Sequence, residues 1–123
     1  MASSDVTRSG LVTANGGQTV PLGSFGPFTV SLVCNDDGSG TFDAAIMATS
    51  STSNSEIFGQ QMTAGTPVEV DDAGPNSQFS GANGSSLQDF VAAPDAYQVY
   101  LIDAIFMPGT TAPCAASMLV AKS

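Results

Sequence analysis

The feature that most limits what this chain can fold into is a two-residue alternation of apolar and polar side chains, broken at short intervals by glycine and proline. Phe28, Val30, Leu32 and Cys34 fall on one side of an extended segment while Thr29 and Ser31 fall on the other. Phe42, Ala44, Ile46 and Ala48 repeat the pattern across 41–50. A period of two is the signature of a strand with one buried face, whereas a helix would repeat its apolar positions every three to four residues. The same reading predicts strands at 6–13, 28–34, 41–50, 56–62, 67–70, 87–92, 97–106 and 114–121. Breaks such as Gly26-Pro27, Gly65-Thr66-Pro67 and Pro108-Gly109 separate them. Asn35-Asp36-Asp37-Gly38-Ser39-Gly40 has the composition of a tight hairpin turn. Many short strands at this spacing predict an all-β fold, a single-domain antiparallel β-sandwich of jelly-roll type over residues 1–123. An immunoglobulin-like sandwich is the alternative, but its disulfide packs on a core Trp, and the chain has no Trp. Residues 1–5 are expected to be a flexible or added extension.

The two cysteines belong to this pattern. Cys34 ends the inward series of one strand and Cys114 begins the series Cys114, Ala116, Met118, Val120 of another. Two inward cysteines in a chain rich in Ser, Thr and Gly predict a Cys34–Cys114 disulfide and an oxidising compartment, hence an extracellular or cell-surface location.

Charge excludes whole classes of function. The chain carries 11 acidic and 2 basic residues, a net charge of −9, and no histidine. Phosphate neutralisation cannot rest on Arg8 and Lys122 alone, so nucleic-acid binding is not expected. No apolar run approaches the roughly 20 residues that span a bilayer as a helix, so membrane insertion is not expected either. Without histidine, neither a Ser-His-Asp triad nor a histidine zinc site can be assembled. Glu56, Glu69 and Asp103 are the strand-borne acids with a claim to catalysis, and no spacing pairs them. No enzymatic activity is expected.

Four features remain as candidate sites. The stretch from Asn35 to Asp43 resembles the first nine positions of an EF-hand loop, but Ile46 stands where the bidentate Glu is needed. A hairpin turn explains the same residues, and a calcium site is expected only if Asp71 and Asp72 reach the rim that holds Asp36 and Asp37. No other cofactor is expected. Residues 71–86 are turn formers interrupted by Gln78-Phe79 and read as a long loop, with Phe79 pinning it to the body. Asn83-Gly84-Ser85 is an N-glycosylation sequon. The strand 97–106 is apolar on both faces, which marks Tyr97, Val99, Tyr100, Leu101 and Ile102 as a candidate subunit interface beside the plainer reading of a doubly covered strand. The run from Thr49 to Ser55 reads as a polar link between strands.

The segment Gly26-Pro27-Phe28-Thr29-Val30-Ser31-Leu32-Val33-Cys34, with the Asp/Gly turn and Thr41-Phe42-Asp43-Ala44 after it, resembles the opening of small secreted bacterial β-sandwich proteins of unknown function. The resemblance implies export and a sandwich and carries no catalytic residues. The expected function is that of a non-enzymatic extracellular or surface domain acting through protein contacts, as a homo-oligomer or as a component of an assembly. A sugar-binding module, with or without calcium, is the alternative from another class, and a viral or phage coat or decoration protein is a third.

Overall fold

The structure, a computed structural model, describes residues 6–38, 40–77, 82–105 and 112–122. Its elements are β1 (Val6–Arg8), β2 (Val12–Ala14), β3 (Thr19–Phe25), β4 (Phe28–Asp36), β5 (Thr41–Ser50), β6 (Glu56–Ile57), β7 (Gln60–Gln61), β8 (Val68–Ser77), β9 (Ala82–Ala92), β10 (Asp95–Ile105) and β11 (Cys114–Lys122). They form two antiparallel sheets, one of four strands in the order β3-β4-β5-β8 and one of seven in the order β1-β11-β10-β9-β6-β7, with β2 also on β11. The two sheets pack face to face as a β-sandwich around one core.

The alternation read from the sequence sets the inner faces. Phe28, Val30, Leu32 and Cys34 of β4 are fully buried, as are Val99 and Leu101 of β10. At one end of the core Phe25, Phe28, Phe90 and Tyr97 form an aromatic cluster with ring centroids 5.0–6.3 Å apart. The turn beside it needs Gly26, whose φ is +54° and where a Cβ would stand 2.7 Å from the Tyr97 hydroxyl. The Cys34–Cys114 disulfide is present, with a Cα–Cα distance of 5.7 Å, and it joins β4 of one sheet to β11 of the other. The bridge therefore fastens the two layers through the core.

Several boundaries differ from the sequence expectation, each for a local reason. The strand expected at 6–13 is two, β1 and β2, separated at Gly10 with φ +69°. The strand expected at 56–62 is a miniature hairpin, β6 and β7, turning at Phe58 and Gly59, whose φ values of 59° and 74° are the two positive angles that a tight two-residue turn demands. An unforeseen strand, β3, pairs with β4 despite Pro21 and Gly23; it lies at a sheet edge, where a proline costs no ladder hydrogen bond, and its register shifts between those residues. The expected loop 71–86 is the largest correction. Residues 71–77 continue β8 along β5, and residues 82–86 begin β9 along β10. Ladder pairing overrides the turn-like composition of these segments. Asp71 and Asp72 thus stand on a strand and not in a loop. Phe79 and the end of the strand expected to run to Phe106 lie outside the described residues.

The polar run from Thr49 to Ser55 does link strands, as a self-bonded turn. Ser55 Oγ donates to Ser50 Oγ at 2.7 Å, and Ser50 Oγ donates to the Thr52 carbonyl at 2.9 Å. These bonds let Ser50 and Ser55 be buried at 2% and 3% exposure without an orphaned hydroxyl.

Candidate functional site

Five of the acids meet around β8. The strand bulges between Glu69 and Asp71 as it pairs with β5, so Glu69 lies opposite Met47, Asp71 opposite Ile46 and Asp72 opposite Ala45. Pleating sends Asp71 towards the inside with Ile46, and Glu69 and Asp72 to the outer face with Met47 and Ala45. On that outer face Asp43, Glu69 and Asp72 each offer a carboxylate oxygen, all within 4.8 Å of one another. From the inside, Asp103 on β10 occupies the inward register of Tyr97, Val99, Leu101 and Ile105 and is 0% exposed.

Asp103 is where the chemistry concentrates. Among the described residues no donor of another residue serves either of its carboxylate oxygens, its own main-chain amide being the donor at hand, and Asp71 Oδ2 and Asp43 Oδ1 are likewise buried without a partner. The side chain within hydrogen-bond reach of Asp103 is the Asp71 carboxyl, which can answer it only when one of the two is protonated. Burial pushes the Asp103 carboxyl up to about 8, and the hydrogen bond with Asp71 and the charges of Asp71 and Asp72 push the same way. Asp72 is pushed up to about 7 by partial burial, then by its hydrogen bond with Asp43 and the charges of Asp43, Glu69 and Asp71. Much of the Asp72 side chain still meets water, so the crowd of like charges is its more durable cause. No described basic side chain relieves this centre: Lys122 is held by Asp95 at 3.3 Å, and Arg8 lies on β1 at the far side of the seven-stranded sheet.

Two close approaches shape the pocket around Asp103. Gly84 of β9 is its register partner, and a Cβ there would stand 2.6 Å from Asp103 Oδ1 and 2.7 Å from the main-chain oxygen of Asp72. Ser86 of β9 also reaches β8, donating to the Val70 carbonyl at 3.4 Å. Asp103 therefore fills the seam where β8 of one sheet meets β9 of the other.

The residues expected at a metal rim are divided. Asp71 and Asp72 belong to the centre just described. Asp36 and Asp37 belong to the β4–β5 turn, where Asp36 Oδ1 accepts from the Gly38 amide at 2.9 Å, and Asp36 pairs with Phe42, three positions along β5 from the partner of Asp72. Asp43, Glu69 and Asp103 complete the cluster, and spacing alone could not have joined them. One signal for Asp103 was available: it is an acid in the apolar register of its strand.

The residues expected at a subunit contact divide by face. Tyr97, Val99 and Leu101 point into the core at 6%, 0% and 0% exposure, while Tyr100 and Ile102 point outwards at 41% each. The register extends that outer face across four strands. Leu87, Tyr100, Leu119 and Arg8 form one row, flanked by Asp89, Gln98, Ala121 and Val6 on one side and by Ser85, Ile102 and Ser117 on the other. Leu11, 72% exposed, lies beside Ile102 and Ser117. Asn83 of the sequon is exposed on the same face of β9.

The outer face of the four-stranded sheet holds a groove of about 480 Å³ whose lining includes Thr29, Ser31, Asn35, Met47, Thr49 and Glu69. No helix of the described residues is long and apolar enough to cross a membrane. No protein-family model, no curated protein and no solved structure matches the chain.

Proposed function

We propose that this chain is a non-enzymatic extracellular or surface domain that works by association, and that the outer face of its seven-stranded sheet receives a second copy of itself. The observation that carries this reading is the row Leu87, Tyr100, Leu119 with Ile102 and Leu11 beside it: large apolar groups, four of them exposed by 41–72%, gathered on one sheet face. Contiguous exposed apolar surface on a soluble domain marks a contact site. The charges bordering it favour a like partner. Asp89 lies on the β9 side and Arg8 on the β1 side, three strand spacings or about 14 Å apart across the sheet and one row apart along it. A two-fold axis running along the strands lays the Arg8 edge of one copy over the Asp89 edge of the other, twice, as an isologous contact requires. The disulfide supports an oxidising location.

Sedimentation velocity across a hundredfold range of concentration tests this. Wild type is expected to associate, Tyr100→Glu to be monomeric, Arg8→Glu and Asp89→Arg each to weaken association, and the double reversal to recover it. A wild type that stays monomeric at millimolar concentration overturns the reading.

The groove on the other sheet favours a second reading, a small-ligand module for sugars, because hydroxyls and an amide line an open trough beside Met47 and Glu69. A glycan-array signal lost in Asn35→Ala, with the chain monomeric, would support this second reading over the first.

A further inference from the structure

We propose that the acidic centre around β8 is a binding site for one hard divalent cation, calcium, held by the carboxylates of Asp71 and Asp103 and the main-chain carbonyl of Asp72. The site is independent of the association face, which lies on the opposite surface of β10.

Three observations converge on it. Asp103 is wholly buried and aimed at Asp71, yet among the described residues its oxygens are offered no donor beyond its own main-chain amide, and Asp71 Oδ2 is buried without a partner. Burying an unpaired carboxylate is strongly unfavourable, so a buried orphan is compensated either by a proton or by a cation. The oxygens are also already gathered. Asp103 Oδ1 and the Asp72 carbonyl oxygen pack against the same bare side of Gly84, 2.6 and 2.7 Å from where a Cβ would stand, so the two oxygens lie close enough together for one ion beside them to touch both. Finally, the outer triad of Asp43, Glu69 and Asp72, with its oxygens within 4.8 Å of one another, stands on the other face of β8 and adds to the negative potential there.

The donor set selects the metal. Every donor is an oxygen, the chain has no histidine, and both cysteines are consumed in the bridge, so the nitrogen and sulfur ligands that zinc and copper prefer are missing. Magnesium demands a strict octahedron, which a strand seam does not offer; calcium accepts irregular sets, here up to five oxygens from two bidentate carboxylates and the Asp72 carbonyl, with water completing its shell.

The test uses the intact, disulfide-bonded protein stripped with EDTA. Titration calorimetry with calcium chloride at pH 7.5 is expected to show one saturable site, and saturating calcium to raise Tm by roughly 5–10 °C relative to EDTA, with magnesium giving a smaller shift. Asp103→Asn is expected to weaken calcium binding at least tenfold and to abolish the Tm shift, while Asp36→Asn, in the hairpin turn, leaves both unchanged. Should Asp103→Asn not fold, Asp71→Asn carries the same expectation at a less buried position. Absence of both heat and Tm shift at 10 mM calcium overturns the proposal. Binding lost in Asp43→Asn but kept in Asp103→Asn overturns it too, because the ion would then sit on the outer triad.

Discussion

Gly84 and Asp103 are register partners on β9 and β10, and the missing Cβ of the glycine is what leaves room for the carboxylate, since a methyl group there would stand 2.6 Å from Oδ1. Its other close neighbour is main-chain oxygen of Asp72 at 2.7 Å, which cannot swing aside as a side-chain tip can. Gly84→Ala is therefore expected to destabilise the fold by about 1–3 kcal/mol, the usual cost of overpacking, read as a lower urea midpoint at unchanged slope. An unaltered midpoint would show that the seam is looser than described.

Acid should stabilise this protein where it weakens most. Asp103 and Asp72 hold their protons up to about 8 and about 7 in the folded state, against 3.8 as the ordinary value. Between pH 4 and 8 the folded state thus binds more protons than the unfolded one, so stability conferred by these groups is complete below about pH 4 and is lost as pH rises through 7 to 8. In EDTA, Tm is expected to fall from pH 5 to pH 8.5. Asp103→Asn, which mimics the protonated acid and cannot titrate, should flatten that fall. Equal slopes for the two proteins would refute the assignment.

Removing the Cys34–Cys114 bridge opens a constraint with a sequence separation of 80. On the chain-entropy account the double substitution Cys34→Ala with Cys114→Ala costs about 4–5 kcal/mol. Thermal melts of the reduced and oxidised wild type offer the same comparison without mutation, and a difference below about 1 kcal/mol would contradict it.

Alternate residues of β10 should answer very differently to truncation. Leu101 is 0% exposed and its change to Ala is expected to cost about 2–5 kcal/mol, while Tyr100, at 41%, should cost the monomer about 0.5 kcal/mol or less when changed to Ser. Denaturant melts at low protein concentration, where association does not contribute, check the pair. Similar costs at both positions would mean the strand is covered on both sides.

Where apolar residues alternate, the sequence was readable: β4, β5, β10 and β11, their inward faces and the bridge between them follow from Phe28 to Cys34, Phe42 to Ala48, Tyr97 to Ile105 and Cys114 to Val120. Elsewhere the pairing partner decides. Asp71-Asp72-Ala73-Gly74 and Asn83-Gly84-Ser85 have little intrinsic preference for extended structure and are strands because β5 and β10 offer them ladders. β3 was hidden by Pro21 and Gly23, which an edge position tolerates. The acidic centre was half visible, as two adjacent acids on β8 and one misplaced in the apolar register of β10. Their meeting depends on how one sheet lies on the other, which no local pattern encodes.

The bridge between β4 and β11 also sets how far this domain can be stretched. If an assembly pulls on its two ends, the covalent link holds everything between Cys34 and Cys114 out of the extending chain. Only the segments before and after the bridge, roughly a third of the residues, could be drawn out, each by at most about 3.5 Å per residue. Oxidised, the domain is a short tether; reduced, it becomes a long one.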